Sequence, residues 1–430
     1  MKSKVLLKII DLFKGEDVLS RYKFFLETLK WDRARVLDYQ SLRFNQLIKH
    51  AAENVPYYKE RLSGIKSIAD LKKIEILGRD DIAKNESLLI DKLRPKSTLI
   101  KGSSSGTTGI PINYYTDKFG LSSGNAAAYV LRTMSGINFG EKSVHIWGNK
   151  SSMEQWKTLS SKVKNKLIGQ KKIASTLLND PAELEKISQE IINFDPLIID
   201  GYSSSIYTLA KYFGEKNYKL SSLKHIATTA ENLENYQREV IEKQFCPVSD
   251  LYGSGEVLSI AFRPAGDEKY YIFEPHVIVE VMDSGVEGMK EILVTDLDNY
   301  AMPMIRYKVG DLIDDVYEPA NGKYQFNWFK KINGRSSEII TLPDGKKFHP
   351  VNIFGGTLFR KFKEIRRHKV IWDGTKLEFV FETDSLFNTV QLEKEIRELL
   401  LPYKVEFKIT VTGKIQPSES GKYRYMEIKK

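Results

Sequence analysis

The chain has 430 residues, of which 41% are hydrophobic and 28% charged. This composition excludes extensive disorder, and the length predicts one large and one smaller domain. The single cysteine, Cys246 in QFCPV, excludes an internal disulfide and reads as a structural thiol in a reducing cytoplasm. The net charge of +10 admits phosphate-bearing small molecules, anionic glycans or a membrane surface as partners. The basic runs at 157–172 and 360–369 lack the interleaved aromatics and zinc spacings of a nucleic-acid module, which ranks nucleic acid last. No apolar stretch reaches about 18 residues, so no spanning helix is expected and any membrane contact is peripheral.

In chain order, MKSKVLLKIIDLF is interrupted by Lys8 and Asp11 and reads as an amphipathic helix rather than a leader. From about 20 to 62 the pattern is helical, with Leu42, Leu47, Ile48 and Ala51 on one predicted stripe before Pro56 breaks it and Tyr57 and Tyr58 turn the chain. Between 97 and 300 the β-like runs STLI, SVHIW, PLIID, KHIATT and SDLYG alternate with helical stretches at 182–193 and 234–245. This is the pattern of an α/β domain with a largely buried sheet. The alternating runs IVEVM and EILVTD predict an antiparallel β-rich subdomain. The large domain closes near 333, with residues 1–62 as its helical lead-in.

Residues 334–430 read as a small α+β domain. EIITLPDGKKFHP predicts a hairpin, a helix follows Pro350, and VIWDGTKLEFVF predicts two strands about an Asp373-Gly374 turn in which both positions tolerate positive φ. Leu392, Ile396, Leu399 and Leu400 form one helical stripe that Pro402 ends, and Val405, Phe407, Ile409 and Val411 alternate as a strand.

The strongest chemical signal is SSSGTTGIP, Ser103 to Pro111. Gly106 and Gly109 let backbone N–H groups turn inward, and Ser103, Ser104, Ser105, Thr107 and Thr108 add hydroxyl donors suited to phosphate oxygens. An ordinary polar linker shares this composition. The run lacks the Gly-Lys-Ser/Thr ending of the common triphosphatase loop, so the opposing cation must come from elsewhere. One candidate is Lys422 in PSESGKYRY, projected from a turn by Gly421; read alone, it is a solvated lysine in a basic tail.

Five segments recur in the order and spacing of the adenylate-forming enzyme superfamily. SSSGTTGIP resembles its phosphate loop, DLYGSGE (250–256) its aromatic-Gly-to-acid motif, MIRYKVGDL (304–312) its Arg-Tyr-to-Gly-Asp motif, NGRSSEII (333–340) its hinge motif and SGKYR (420–424) its C-terminal lysine motif. AAENVPYYKERL, GYSSSIYTLA and TTAENL are similar to the phenylacetate-coenzyme A ligase branch and its capsule-polysaccharide-biosynthesis relatives. The likeness runs from about 40 to 424 and leaves the first 35 residues unexplained.

The resemblance implies a role for each matched residue. Ser104, Ser105, Gly106, Thr107, Thr108 and Gly109 would hold phosphates, Tyr252 beside Gly253 would stack on adenine, and Glu231 would lie on the adenine side. Glu256 would hold magnesium, Asp311 after Gly310 at a strand end would accept both ribose hydroxyls, and Arg335 would neutralise charge near the ribose and phosphates. Lys422 would be the mobile catalytic cation, and Trp147, Gly148, Tyr202, Ser203 and Ser204 would line the acyl pocket. Glu338 takes the hinge position where the superfamily more often has Asp. PDGKK (343–347) looks inserted, and Ile112 stands where many members have lysine.

The implied activity is ATP-dependent conversion of a small carboxylic acid to an acyl-adenylate with release of pyrophosphate, then transfer to coenzyme A. An amine or hydroxyl acceptor in polysaccharide decoration is the alternative. A non-catalytic nucleotide-binding scaffold is disfavoured because Glu256, Asp311, Arg335 and Lys422 are all present. The sequence does not decide between a monomer and a homodimer.

Overall fold

The computed structural model describes residues 15–104, 112–137, 141–148, 165, 169–319, 322–350, 358, 361–362, 364–383, 388–416 and 425–429. The helices predicted at 1–13 and after Pro350 lie outside them. Contacts divide the chain into two compact units, the first made of Met1–Glu141, Ser249–Ser284 and Gly288–Ile332, the second of Lys142–Val248, Gly285–Glu287 and Asn333–Lys430.

In the first unit, the helix Arg33–Asn54 starts at Asp32, whose carboxylate accepts from Arg35 N at 2.8 Å, and it stops before Pro56. Its buried stripe is Val36, Gln40, Phe44, Leu47, Ile48 and Ala51. Leu42, expected on that stripe, is 54% exposed; it lies five positions from Leu47, about 140° around the helix. The helix Lys118–Thr133 enters at Asp117, with Gly120 N donating to the Asp117 carboxylate at 2.7 Å. The STLI strand is displaced: Lys96–Thr98 is a turn closed on Pro95 O, and the strand is Ile100–Ser104, antiparallel to Ile112–Thr116.

The predicted β-rich segment is an antiparallel meander of Val277–Asp283, Lys290–Asp296 and Tyr307–Ile313. One face joins Phe44, Leu47, Tyr58, Val257, Ile292, Val294, Met304 and Tyr307 in a core. A second core gathers Phe25 of the helix Val18–Thr28 with Ala126, Val130, Phe262 and Phe273.

In the second unit the strands His225–Thr229, Ile198–Tyr202, Ser143–Ile146 and Gln170–Ile173 are parallel neighbours in that order, with the helices Pro181–Phe194 and Ser203–Glu215 between them in sequence and Asn235–Gln244 after the last. Cys246 is half-buried beside this core, and burial pushes its thiol up to about 11, as suits a structural thiol.

The C-terminal segment of this unit has its own core of Ile340, Phe348, Trp372, Phe379, Phe381, Leu392, Ile396 and Leu400. The expected hairpin forms between Ile340–Thr341 and Lys347–Phe348. Ile365–Trp372 pairs antiparallel with Lys376–Thr383, and Glu406–Thr412 and Met426–Ile428 add in parallel on either side. Two expectations are corrected. Val411 is 47% exposed although it shares a strand face with Phe407 and Ile409, which pack against the core. In the turn, Gly374 has φ 98° and Asp373 does not share the positive region. The Asp373 carboxylate instead accepts from Thr375 N at 3.0 Å and Lys376 N at 2.9 Å.

Asp298 is wholly buried and fastens the N-terminal helices to the first unit. Arg21 and Arg43 meet its Oδ1 at 3.0 and 2.9 Å, and His276 Nδ1 meets Oδ2 at 2.7 Å. Burial alone would raise the Asp298 carboxyl, but the His276 hydrogen bond and the charges of His276, Arg21 and Arg43 outweigh it and hold the pKa below its ordinary value. Burial lowers the His276 pKa, yet the charge of Asp296 and the pairing with Asp298 raise it overall. The Asp298 contribution is therefore present above the unfolded carboxyl pKa of about 4 and is lost as pH falls through the folded value. That of His276 is present below about 6.5 and is lost as pH rises through its raised value. Asp298→Asn should cost about 3 kcal/mol or more at pH 7 and flatten the acid limb of stability, read by urea unfolding across pH.

Candidate active site

The strand Val248–Tyr252 runs into Gly253, where a Cβ would stand 2.7 Å from Ser259 N. Glycine is required because the chain folds straight back on itself. Ser254 N donates to Val257 O at 2.8 Å and Ile260 N to Tyr252 O at 2.9 Å. This return delivers the Glu256 side chain, 4% exposed, into the first unit.

Glu256 is paired there. Its Oε1 accepts from Arg79 Nη1 at 3.0 Å and from Ser104 Oγ at 2.8 Å. Arg79 Nη2 also donates to Ser104 Oγ at 2.8 Å and reaches Ser104 O at 3.4 Å. The Ser104 hydroxyl is thus a relay, accepting from the guanidinium and donating to the carboxylate. Both bonds land on one carboxylate oxygen, and no described residue donates to Oε2.

A second carboxylate is set close by in the same unit. Tyr252 OH donates to Asp311 Oδ2 at 3.0 Å, while the Tyr252 ring packs in the core edge-on to Phe329. Asp311 is not at a strand end, as expected, but inside Tyr307–Ile313. The ladder pairs Glu291 with Leu312 and Leu293 with Lys308, so Ile292 alone faces residues 309–311. Gly310 absorbs this bulge at φ 89°, and the bulge re-aims Asp311.

Two tyrosines frame the carboxylates. Burial, then the charge of Glu256, pushes the Tyr307 phenol above its ordinary value; Arg79 opposes this and Asp311 adds to it. Tyr114 is raised by burial and then by Glu256. Its ring crosses Gly102, where a Cβ would stand 2.2 Å from the ring, and a Cβ on Gly255 would meet its hydroxyl at 2.8 Å. Sequence reasoning missed Arg79 and Tyr114. Arg79 opens the short helix Arg79–Asn85 within an unremarkable LGRDD, and only the fold brings it to Glu256.

The second unit gathers all five predicted pocket residues with Glu231. Trp147 lies 4.6 Å, centroid to centroid, from Tyr202 and stacks on His145 at 5.6 Å. Burial, followed by opposing effects of a Gly148 backbone hydrogen bond and the Glu231 charge, pushes the Tyr202 phenol up to about 12. Gly148 O accepts from Ser175 Oγ at 2.6 Å. Ser203 and Ser204 open the helix Ser203–Glu215; Ser204 N donates to Glu231 Oε2 at 3.0 Å and Ser203 Oγ to Asn232 O at 3.1 Å. His145 also pairs with Asp200, a contact the sequence did not reveal.

At the expected hinge, Arg335 N donates to Glu338 Oε2 at 3.2 Å. The buried His349 ring crosses Gly334, with Nε2 3.0 Å from Arg335 O and 3.4 Å from Glu338 Oε2. Ser105, Gly106, Thr107, Thr108, Gly109 and Lys422 lie outside the described residues. Among the described residues no cluster of three His, Cys, Asp or Glu could hold a metal ion. Glu256 Oε2 nevertheless fits a hard dication that takes its other ligands from water and phosphate.

The fold is that of the adenylate-forming ligases. A 2-hydroxyisobutyryl-CoA ligase, solved in the postadenylation state in complex with R3-HIB-AMP, superposes with a TM-score of 0.68 over 89% of this chain and 87% of its own, at 16% identity. Within that class the relatives fall in the branch that the motifs resemble. Protein CapK of Staphylococcus aureus is 28% identical over 316 residues, 71% of this chain and 69% of the relative. A phenylacetate-coenzyme A ligase of Pseudomonas putida is 24% identical over 339 residues, 74% of each. No protein-family model matches the chain.

Gly253→Ala forces a methyl group against Ser259 N and displaces the return that carries Glu256. Thermal melting should show a loss of about 1–3 kcal/mol.

Proposed function

We propose that this chain uses ATP to convert a small carboxylic acid to an acyl-adenylate, releases pyrophosphate, and passes the acyl group to coenzyme A. The observation that carries this reading is the convergence, in one unit, of residues drawn from three separated motifs. Ser104 leads into the phosphate-loop segment, Glu256 ends the aromatic-Gly-to-acid segment, and Asp311 ends the Arg-Tyr-to-Gly-Asp segment, with Tyr252 bonded to Asp311. Three motifs that merely resembled a family by chance would have no reason to meet.

In the proposed reaction the carboxylate attacks the α-phosphorus of ATP in line and pyrophosphate leaves. The protein contributes position and charge rather than covalent chemistry. Magnesium, held through Glu256, would neutralise charge developing on the phosphates. Asp311 offers two acceptor oxygens to the ribose diol. Tyr252 and Glu231 are assigned to the adenine side, Arg335 to the ribose and phosphates, and Lys422 to the carboxylate and α-phosphate. Trp147, Gly148, Tyr202, Ser203 and Ser204, which cluster in the second unit, are assigned to the acyl group. We assign residues 334–430 as a lid domain turning about Glu338, so that Lys422 serves adenylation and then withdraws.

A second reading keeps the adenylate and changes the acceptor to an amine or hydroxyl. It is favoured by the higher identity to CapK, at 28%, than to the ligase named for coenzyme A, at 24%.

Carboxylate-dependent exchange of pyrophosphate into ATP, run over a panel of acids, tests the adenylation step. Adding coenzyme A and following thioester formation tests the acceptor. Lys422→Ala should abolish exchange while leaving ATP binding largely intact, and Glu256→Gln should lower exchange by about 100-fold. Wild-type exchange rates in Lys422→Ala would remove that residue from the mechanism.

A further inference from the structure

We propose that Arg79 is a positioning residue for the metal and phosphate end of the site: it holds Glu256 by Oε1 alone, keeping Oε2 presented to a dication, and fixes the Ser104 hydroxyl in the same grip. The proposal rests on the adenylation reading given above.

The geometry is that of a fork spanning two groups. Nη1 binds the carboxylate at 3.0 Å and Nη2 binds the serine hydroxyl at 2.8 Å, while that hydroxyl donates to the same carboxylate oxygen at 2.8 Å. The three bonds form a closed ring, so neither Glu256 nor Ser104 can rotate without breaking two of them. A planar guanidinium can span both partners at once, whereas a lysine ammonium would meet them as a point charge. The arrangement is largely buried, with the Arg79 side chain 20% exposed and that of Glu256 4%. Before nucleotide arrives, Arg79 supplies the positive charge that a buried carboxylate needs. With magnesium-ATP bound, the carboxylate is shared: Oε1 stays with Arg79 and Ser104, and Oε2 goes to the metal.

This role differs from simple support of the fold. A residue that orients the metal ligand affects ligands carrying β- and γ-phosphates with magnesium. It leaves AMP, which has neither, untouched.

The test is calorimetric titration of the full-length protein with magnesium-ATP, with ATP in chelator, and with AMP. Arg79→Met should weaken magnesium-ATP by about tenfold or more and leave AMP within about twofold, since charge-assisted bonds to the metal ligand are lost but the nucleoside contacts are kept. Arg79→Lys should also weaken magnesium-ATP selectively. Because Arg79→Met strands a buried carboxylate, the double variant Arg79→Met/Glu256→Gln provides a neutral background. It should bind magnesium-ATP no more weakly than Glu256→Gln alone, because both changes remove one interaction. Equal weakening of AMP and magnesium-ATP, full magnesium-ATP affinity in both single variants, or additive losses in the double variant would overturn the role of Arg79. A wild-type protein that exchanges no pyrophosphate with any acid would instead overturn the adenylation reading itself, and the proposal with it.

Discussion

The arrangement of the first unit follows from one constraint, that a carboxylate taken out of water must find positive charge or hydrogen-bond donors. Asp298 draws Arg21 and Arg43 from two helices that precede it by more than 250 residues. Glu274 draws Arg33 and Asn327 N. Glu256 draws Arg79 and Ser104. Each pairing closes a long loop, and together they decide where the N-terminal helices and the strand ending at Ser104 must lie. The helix Val18–Thr28, which no motif explains, is bound into the unit through Arg21 and Phe25.

The same constraint separates what could be read in the sequence from what could not. Periodicity is a local property. The α/β alternation, the antiparallel meander and the C-terminal hairpins were therefore legible from spacing alone. The grouping of Ser104, Glu256, Asp311 and Tyr252 could be expected only through the motifs, because nothing in each segment points to the others. Arg79 and Tyr114 were invisible: an arginine in LGRDD looks solvated, and its function exists only once Glu256 arrives from 177 positions away. Asp311, after Gly310, was expected at a strand end. The fold uses that glycine for a bulge inside the strand. Leu42 failed for a simpler reason, since one-dimensional matching tolerates a five-residue step that a helix does not.

The electrostatic character of the site follows from the sharing of Glu256. A buried carboxylate with no partner would be driven toward protonation and would make a poor metal ligand. Pairing through one oxygen offsets the cost of burying the charge while the other oxygen remains available. Tyr307 and Tyr114, both raised by burial and by Glu256, stay neutral and give the charge a low-polarity wall. A dication placed there would meet a ligand whose orientation is already fixed, so little reorganisation is needed when phosphates bind.

The C-terminal segment shows how the proposed lid motion could be energetically accessible. Its core of Phe379, Phe381, Leu392, Ile396 and Leu400 is its own. Its polar ties to the rest of the second unit include Gln237 Nε2 donating to Tyr425 OH at 3.3 Å and Arg367 donating to Asn179 at 3.2 Å, and Tyr236 packs against its core. Net contributions of such neutral or singly charged bonds are about 0.5–3 kcal/mol each, small beside a self-contained hydrophobic core. The burial of Tyr425 and Tyr236 opposes opening, and pushes both phenols above their ordinary values. Tyr425 follows the SGKYR motif directly, so the bond from Gln237 anchors the chain three residues after Lys422. The proposed lid turn would keep this core intact and break only that small set of contacts.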